Sequence, residues 1–170
     1  MTASHNPEHT QISAADITVD ITTDLESQAH RDSIAIRTEV FVREQHVPVE
    51  LEVDAEEGLC TYFVAYVHEE TSTKGTSLLL PAATLRLLPT SYGLHVQRVA
   101  VAKPYRSTGL GREIMLHVID YARVRGVREL RLDAQTHATG FYESLGFEYA
   151  DRPEFMDAGI AHREMFLHLK

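Results

Sequence analysis

The sequence predicts a single α+β domain in which a mixed, twisted and mostly antiparallel sheet is flanked by helices. Strand-like runs recur over 17–23, 62–67, 82–88 and 94–101, with alternation clearest at Ile17, Val19 and Ile21. The period then changes. Leu110, Ile114, Met115, Val118, Ile119 and Ala122 form one apolar stripe at helical spacing, and a further strand-like run follows at 127–134. Strand, helix and strand in that order make a crossover and a parallel pair, whereas the earlier strands are close enough to pair as hairpins. A length of 170 residues, 44% hydrophobic and 24% charged, suits one ordinary globular domain.

Residues 1–16 are polar and aperiodic and are expected to form a flexible tail, leaving 17–170 as the domain. Asp24 is placed to cap a helix running from Leu25 to about Val42, which must end before Pro48. His68 to Ser77 is expected to be an exposed loop, and Pro89–Gly93 a hairpin turn between the third and fourth strands. Gly126 stops the long helix, a short helix covers about Ala138 to Leu145, and Phe147–Ala150 and Ile160–Leu169 supply the last strands.

A net charge of −9 lacks the basic footprint of a general nucleic-acid binder. It leaves room for an anionic cofactor, because a helix N-terminus and a few local cations can hold a phosphate on an acidic protein. No apolar run approaches the roughly 20 residues of a membrane span, and the first residues do not read as a secretory signal. The single Cys60 has no disulfide partner, so a cytoplasmic location is expected. Ten histidines are scattered without HExxH or CxxC spacing, so no metal is expected.

The strongest chemical signal is Arg106-Ser107-Thr108-Gly109-Leu110-Gly111, with Arg112 following, between a strand and the best-patterned helix. Two glycines at a helix start let free N–H groups approach a ligand with no Cβ in the way. The helix dipole adds partial positive charge there, and Arg106, Arg112 and nearby Lys103 add full charges. This pattern is a pyrophosphate cradle. It is neither a Walker loop nor a dinucleotide fingerprint, since no GK[ST] occurs and Ile114 stands where that fingerprint needs a third glycine.

These residues resemble the GNAT N-acetyltransferases, whose signature [QR]-x-x-G-x-[GA] is met by Arg106, Gly109 and Gly111. The preceding Val99-Ala100-Val101 is similar to the strand that the family splays open for the pantetheine arm. The resemblance continues through Ala134-Gln135, Phe141-Tyr142-Glu143 and Leu145-Gly146-Phe147. Segments around Ile36-Arg37, Glu44-Gln45 and Gly159-Ile160 with His162 look like a little-characterised acetyltransferase subgroup. The resemblance implies a GNAT-like acyl-CoA N-acyltransferase fold and acetyl-CoA as co-substrate. It further implies direct attack by the primary amine of a small molecule or peptide, with a backbone N–H near Val101 polarising the thioester carbonyl. The chain would act as a monomer or homodimer. A non-catalytic acyl-CoA sensor or interaction module is the competing reading.

The resemblance also implies that Tyr142 protonates the departing thiolate, and that Gln135 offers an amide to the pantetheine where many members have Asn. The general base is open. Val49-Glu50-Leu51-Glu52-Val53-Asp54 alternates, so in extended backbone Glu50, Glu52 and Asp54 share one side, and close carboxylates raise one another's pKa. Glu44 and His162 are rivals, the latter needing no raised pKa to act near neutrality.

Overall fold

The computed structural model describes residues 10–71, 73 and 75–170. Its strands are β1 (Ile17–Thr22), β2 (Thr61–Glu70), β3 (Ser77–Pro89), β4 (Leu94–Val101), β5 (Glu129–Gln135), β6 (Glu148–Tyr149), β7 (Phe155–Asp157) and β8 (Ile160–His168). They form one sheet in the order β1-β2-β3-β4-β5-β8-β6, with β7 pairing to β8. All pairs are antiparallel except β4–β5, the crossover pair. The expected α+β sheet is therefore present, flanked by α1 (Gln28–Arg37) and α3 (Leu110–Val124).

The α3 stripe packs as its period requires. Leu110, Ile114, Met115 and Val118 lie in one core with Phe63, Leu85, Leu87, Leu130 and Met165. On the opposite face Ala29 and Ile36 of α1, with Val40 just beyond its end, pack against Val64, Tyr66 and Ala100.

Several boundaries differ from expectation. Ser27, not Asp24, caps α1, its Oγ accepting from the N–H of His30 at 3.1 Å; Asp24 instead accepts from the N–H of Glu26. Beyond Arg37 the coil widens into π-helical turns over Thr38–Glu44. The expected loop at 68–77 is shorter than predicted, because β2 and β3 continue their pairing to Glu70↔Ser77 and leave 71–76 as the connection. Of the expected tail, 1–9 lie outside the described residues, and 10–16 are tied down. The N–H of Ile12 donates to Thr108 O at 2.9 Å, and Ile12 packs against the α3 core.

The largest departure lies at 49–54. These residues are not extended: Val49–Glu52 forms a short helix, α2. Pro48 at its N-cap and the acids in its first turn suit a helix start, and helical backbone scatters side chains that a strand would align. What fills the space beneath is a buried charge network. Arg37 and Arg86, both 1% exposed at the side chain, converge on Glu57 Oε1 at 2.6 and 2.8 Å. Arg37 also holds Glu52 at 2.8 Å, and Arg86 holds Asp54 at 3.0 Å. Tyr62 and His30 bond Glu57 Oε2 at 2.6 and 3.1 Å. A buried guanidinium is costly unless its donors are met, and here they are.

Burial by itself would raise the Glu57 carboxyl, but Arg37, Tyr62 and His30 outweigh it and hold it down at about 2. A depressed carboxylate contributes stability that is present above its unfolded value and is lost as pH falls through the folded one. Urea unfolding curves should therefore show stability falling from about pH 4.5 toward about pH 2, and Glu57→Gln should flatten that dependence. At neutral pH the same substitution should cost about 3–5 kcal/mol, because two guanidinium groups lose a charged partner.

Candidate functional site

The site begins with a defect in a strand. Arg86 pairs with Gln97 and Thr84 with Ala100, so Leu85 alone faces both Arg98 and Val99. This is a β-bulge, and Arg98 takes the left-handed backbone (φ 58°) that a non-glycine residue rarely adopts. The guanidinium of Arg98 explains why the strain is tolerated. It donates to Leu51 O at 3.0 Å at the end of α2, and lies 3.2 Å from both Glu52 Oε2 and Asp54 Oδ2.

The bend separates β4 from β5. Their parallel register runs only from Leu94↔Leu130 to Val96↔Leu132, and beyond Val96 the β5-facing edge of β4 has no strand partner among the described residues. The fork opens into a cleft of about 530 Å³. Val99, Ala100 and Val101 line one wall, Asp133 and Gln135 the other, with Tyr142 and His162 on the rim elements.

At the open end lies the glycine loop. A 3₁₀ turn, Lys103–Tyr105, ends β4, and α3 starts at Leu110 with Gly109 as its N-cap, left-handed at φ 86°. No side chain caps this helix, so its first N–H groups are free for a ligand. A Cβ on Gly111 would sit at ordinary contact distance, 3.5 Å, from both Val101 and Phe141, which shows how near α3 lies to β4 there. Thr108 Oγ1 donates to Tyr105 O and steadies the turn, while Ser107 is exposed. Leu110 has its side chain in the core, so only its backbone is available to a ligand. Arg112 is exposed. Arg106 reaches back over the cleft mouth, donating to Val101 O at 3.0 Å and pairing with Glu44 at 2.8 Å.

Gln135 is not free as expected. Its amide exchanges two hydrogen bonds with Gln45, at 2.8 and 3.1 Å, across the cleft. Glu44 and Gln45, adjacent at the end of the π-helical turns, thus tie both the loop arginine and the tip of β5. Tyr142 is buried beside Phe141 and Phe147, edge-on at 5.0 and 5.9 Å. Its hydroxyl makes no hydrogen bond among the described residues, and burial pushes it well above the usual phenol range, so it keeps its proton.

The carboxylate row does not form. Glu50 is exposed and absent from the cleft lining. Glu52 lines the cleft and is pushed up by burial, against the pull of Arg37 and Arg98, but both its oxygens are engaged by those arginines. Asp54 belongs to the ion network. Glu44 is paired to Arg106. His162, in contrast, lines the cleft with Nδ1 2.7 Å from Ile160 O and its ring stacked on Phe155. A carbonyl can only accept, so Nδ1 carries the proton and Nε2 keeps a free lone pair. His95 and Asp133, also in the cleft, escaped the sequence reading; their place on the polar faces of β4 and β5 marks them only as non-core. Among the described residues no group of three or more His, Cys, Asp or Glu is placed to hold a metal ion, and no helix is long and apolar enough to cross a membrane.

Residues 21–169 match the family model described as an acetyltransferase (GNAT) domain. The uncharacterized N-acetyltransferase YjcF of Bacillus subtilis is 35% identical over 135 residues, covering 79% of this chain and 89% of its own length. A candidate N-acetyltransferase from Lactobacillus plantarum has a similar structure, with TM-score 0.76, 27% identity and coverage of 91% of this chain and 99% of that one. An acyl-CoA N-acyltransferase from Pseudomonas aeruginosa gives 0.70, 25%, 89% and 97% in the same terms.

An unbonded hydroxyl has a measurable signature. Tyr142→Phe should change the unfolding free energy by less than about 1 kcal/mol, whereas a hydroxyl satisfied inside the core would cost about 1–3 kcal/mol. Chemical denaturation of the two proteins distinguishes these.

Proposed function

The chain belongs to the GNAT acetyltransferase family and is an acyltransferase, and from that premise we propose that it moves an acetyl group from acetyl-CoA to a primary amine. The observation that carries this reading is the fork. A strand edge with no partner beyond Val96 offers N–H and C=O groups to an extended amide-bearing arm, as an added strand would. At one end of that edge lie the uncapped N–H groups of Gly109 to Arg112, suited to a pyrophosphate. Arg106 and Arg112 supply its countercharge, the former by exchanging Glu44 for phosphate oxygens. Gln135 can likewise release Gln45 for an amide of the arm.

The chemistry then needs three groups. A backbone N–H near Val101 polarises the thioester carbonyl. The amine nitrogen attacks that carbon, forming the C–N bond as the C–S bond breaks. Tyr142 gives its proton to the leaving sulfur, for which an unbonded hydroxyl held neutral is well suited. Among the base candidates His162 is favoured, because its Nε2 lone pair faces no partner among the described residues while Glu52 is locked between arginines. The proton that the amine loses as the C–N bond forms goes to that nitrogen, and returns through solvent to the Tyr142 oxygen.

Calorimetry should detect acetyl-CoA binding to the wild type and none to Gly109→Glu, whose Cβ would start 2.6 Å from Gln11 Oε1 on a left-handed backbone and whose carboxylate would repel phosphate. Loss of binding only in the variant supports the reading; no binding by the wild type ends it. Tyr142→Phe should bind acetyl-CoA normally and lose about 10²-fold in turnover. His162→Gln should lower kcat with acetyl-CoA affinity unchanged, and equal turnover in that variant would remove His162 as the base.

A further inference from the structure

Six charged side chains line the cleft, and four of them are already matched: Glu44 by Arg106, and Glu52 by Arg98. Asp133 is different. It stands one residue past the last β4–β5 pair, at the apex of the fork. Its Oδ1 is closed to solvent and has no hydrogen-bond partner among the described residues. The side chain is nevertheless 33% exposed, so what it shows the cleft is the Oδ2 side. His95 Nε2 lies 3.6 Å from that oxygen. Tyr92 Oη lies 2.6 Å from the other ring nitrogen, so a phenol donating to Nδ1 leaves the Nε2 proton facing Asp133. The nearby arginines are occupied elsewhere: Arg152 and Arg131 hold Glu164, which faces Asp133 across β8.

Burial would push the Asp133 carboxyl up, but His95 and Arg152 outweigh it and hold it below the usual carboxylate range. The group is therefore ionised, partly desolvated and short of donors. With Oδ1 closed off, the charge must be met at Oδ2, and a cation bearing several N–H donors is the ligand that meets it there. An alkylammonium fits this description; a neutral hydroxyl or an anion does not. The register adds a second point. Gln135 pairs with His162, so His162 lies diagonally across from Asp133 on the same face, the spacing at which cross-strand side chains reach a common ligand.

We propose that Asp133, oriented by the Tyr92–His95 pair, receives the ammonium group of the acceptor, and that the acceptor is a cationic primary alkylamine. This rests on the acetyl-transfer reading above. Asp133 is the substrate-binding residue and His95 a positioning residue. An ammonium held at Oδ2 gives its first proton to solvent before attack, and His162 Nε2 takes the second as the C–N bond forms.

The test uses small probes and the intact protein. Aspartate-selective carbon-13 labelling, with Asp133→Asn for assignment, follows the Asp133 carboxyl signal during titration with n-butylammonium chloride and, separately, n-butanol. A saturable shift with the cation and none with the alcohol is expected, accompanied by shifts of the His95 and His162 ring signals. In Asp133→Asn those ring shifts should require at least tenfold more butylammonium, and in His95→Gln the wild-type carboxyl shift should weaken while the melting temperature holds. Equal responses to both probes, or no carboxyl shift in the wild type, overturns the proposal. Acetyl-CoA calorimetry on the same sample separates the two readings. A carboxyl shift without cofactor binding would sink acetyl transfer and keep the ammonium site; cofactor binding without the shift would do the reverse.

Discussion

Everything at the cleft depends on the bend of β4 at Arg98. A regular β4 would continue its parallel pairing with β5 past Val96↔Leu132, close its edge with backbone hydrogen bonds and leave no cleft. The bulge prevents this by placing two residues opposite Leu85. A left-handed non-glycine residue costs on the order of 1–3 kcal/mol, so it persists only when surrounding contacts over-determine it. Here they do, because the Arg98 guanidinium is held by the end of α2 and by Glu52 and Asp54.

That dependence passes deeper. Glu52 and Asp54 are themselves fixed by Arg37 on α1 and Arg86 on β3, which share Glu57. Three arginines and three carboxylates thus connect α1, α2, β3 and β4 in one buried lattice. Replacing such a lattice by apolar side chains need not weaken the fold, so its presence is better understood through geometry than through stability. Hydrogen-bonded charges have few alternative arrangements, and they set where β4 bends. Of the acids that resemble a catalytic row in the sequence, Glu52 and Asp54 belong to this scaffold.

The sheet, the α3 stripe and the glycine loop were legible because each rests on local pattern: alternation, helical period, and glycines at a helix start. What stayed hidden depends on partners distant in sequence. Val49 to Asp54 alternates like a strand, yet Pro48 and three short-range backbone bonds make it a helix end, and only Arg37, Arg86 and Arg98 reveal why Glu52 and Asp54 point inward. The reciprocal amide pair of Gln45 and Gln135 spans ninety residues of chain and has no local signature. Asp133 looks in sequence like any polar residue on the solvent side of a strand; its exposure to a cleft arises from where β4 departs. Tyr142 was found through its motif context, while the absence of a partner for its hydroxyl is a property of the packing around Phe141 and Phe147.

The central claim is that the open edge of β4 and the uncapped start of α3 together form one acyl-CoA site. Amide hydrogen exchange followed residue by residue, with and without acetyl-CoA, tests both halves at once. The account predicts new protection at Val99 and Val101 and at Gly109 to Arg112 together, with β1 and β2 unchanged. Protection confined to one of the two segments, or none at either, would contradict it.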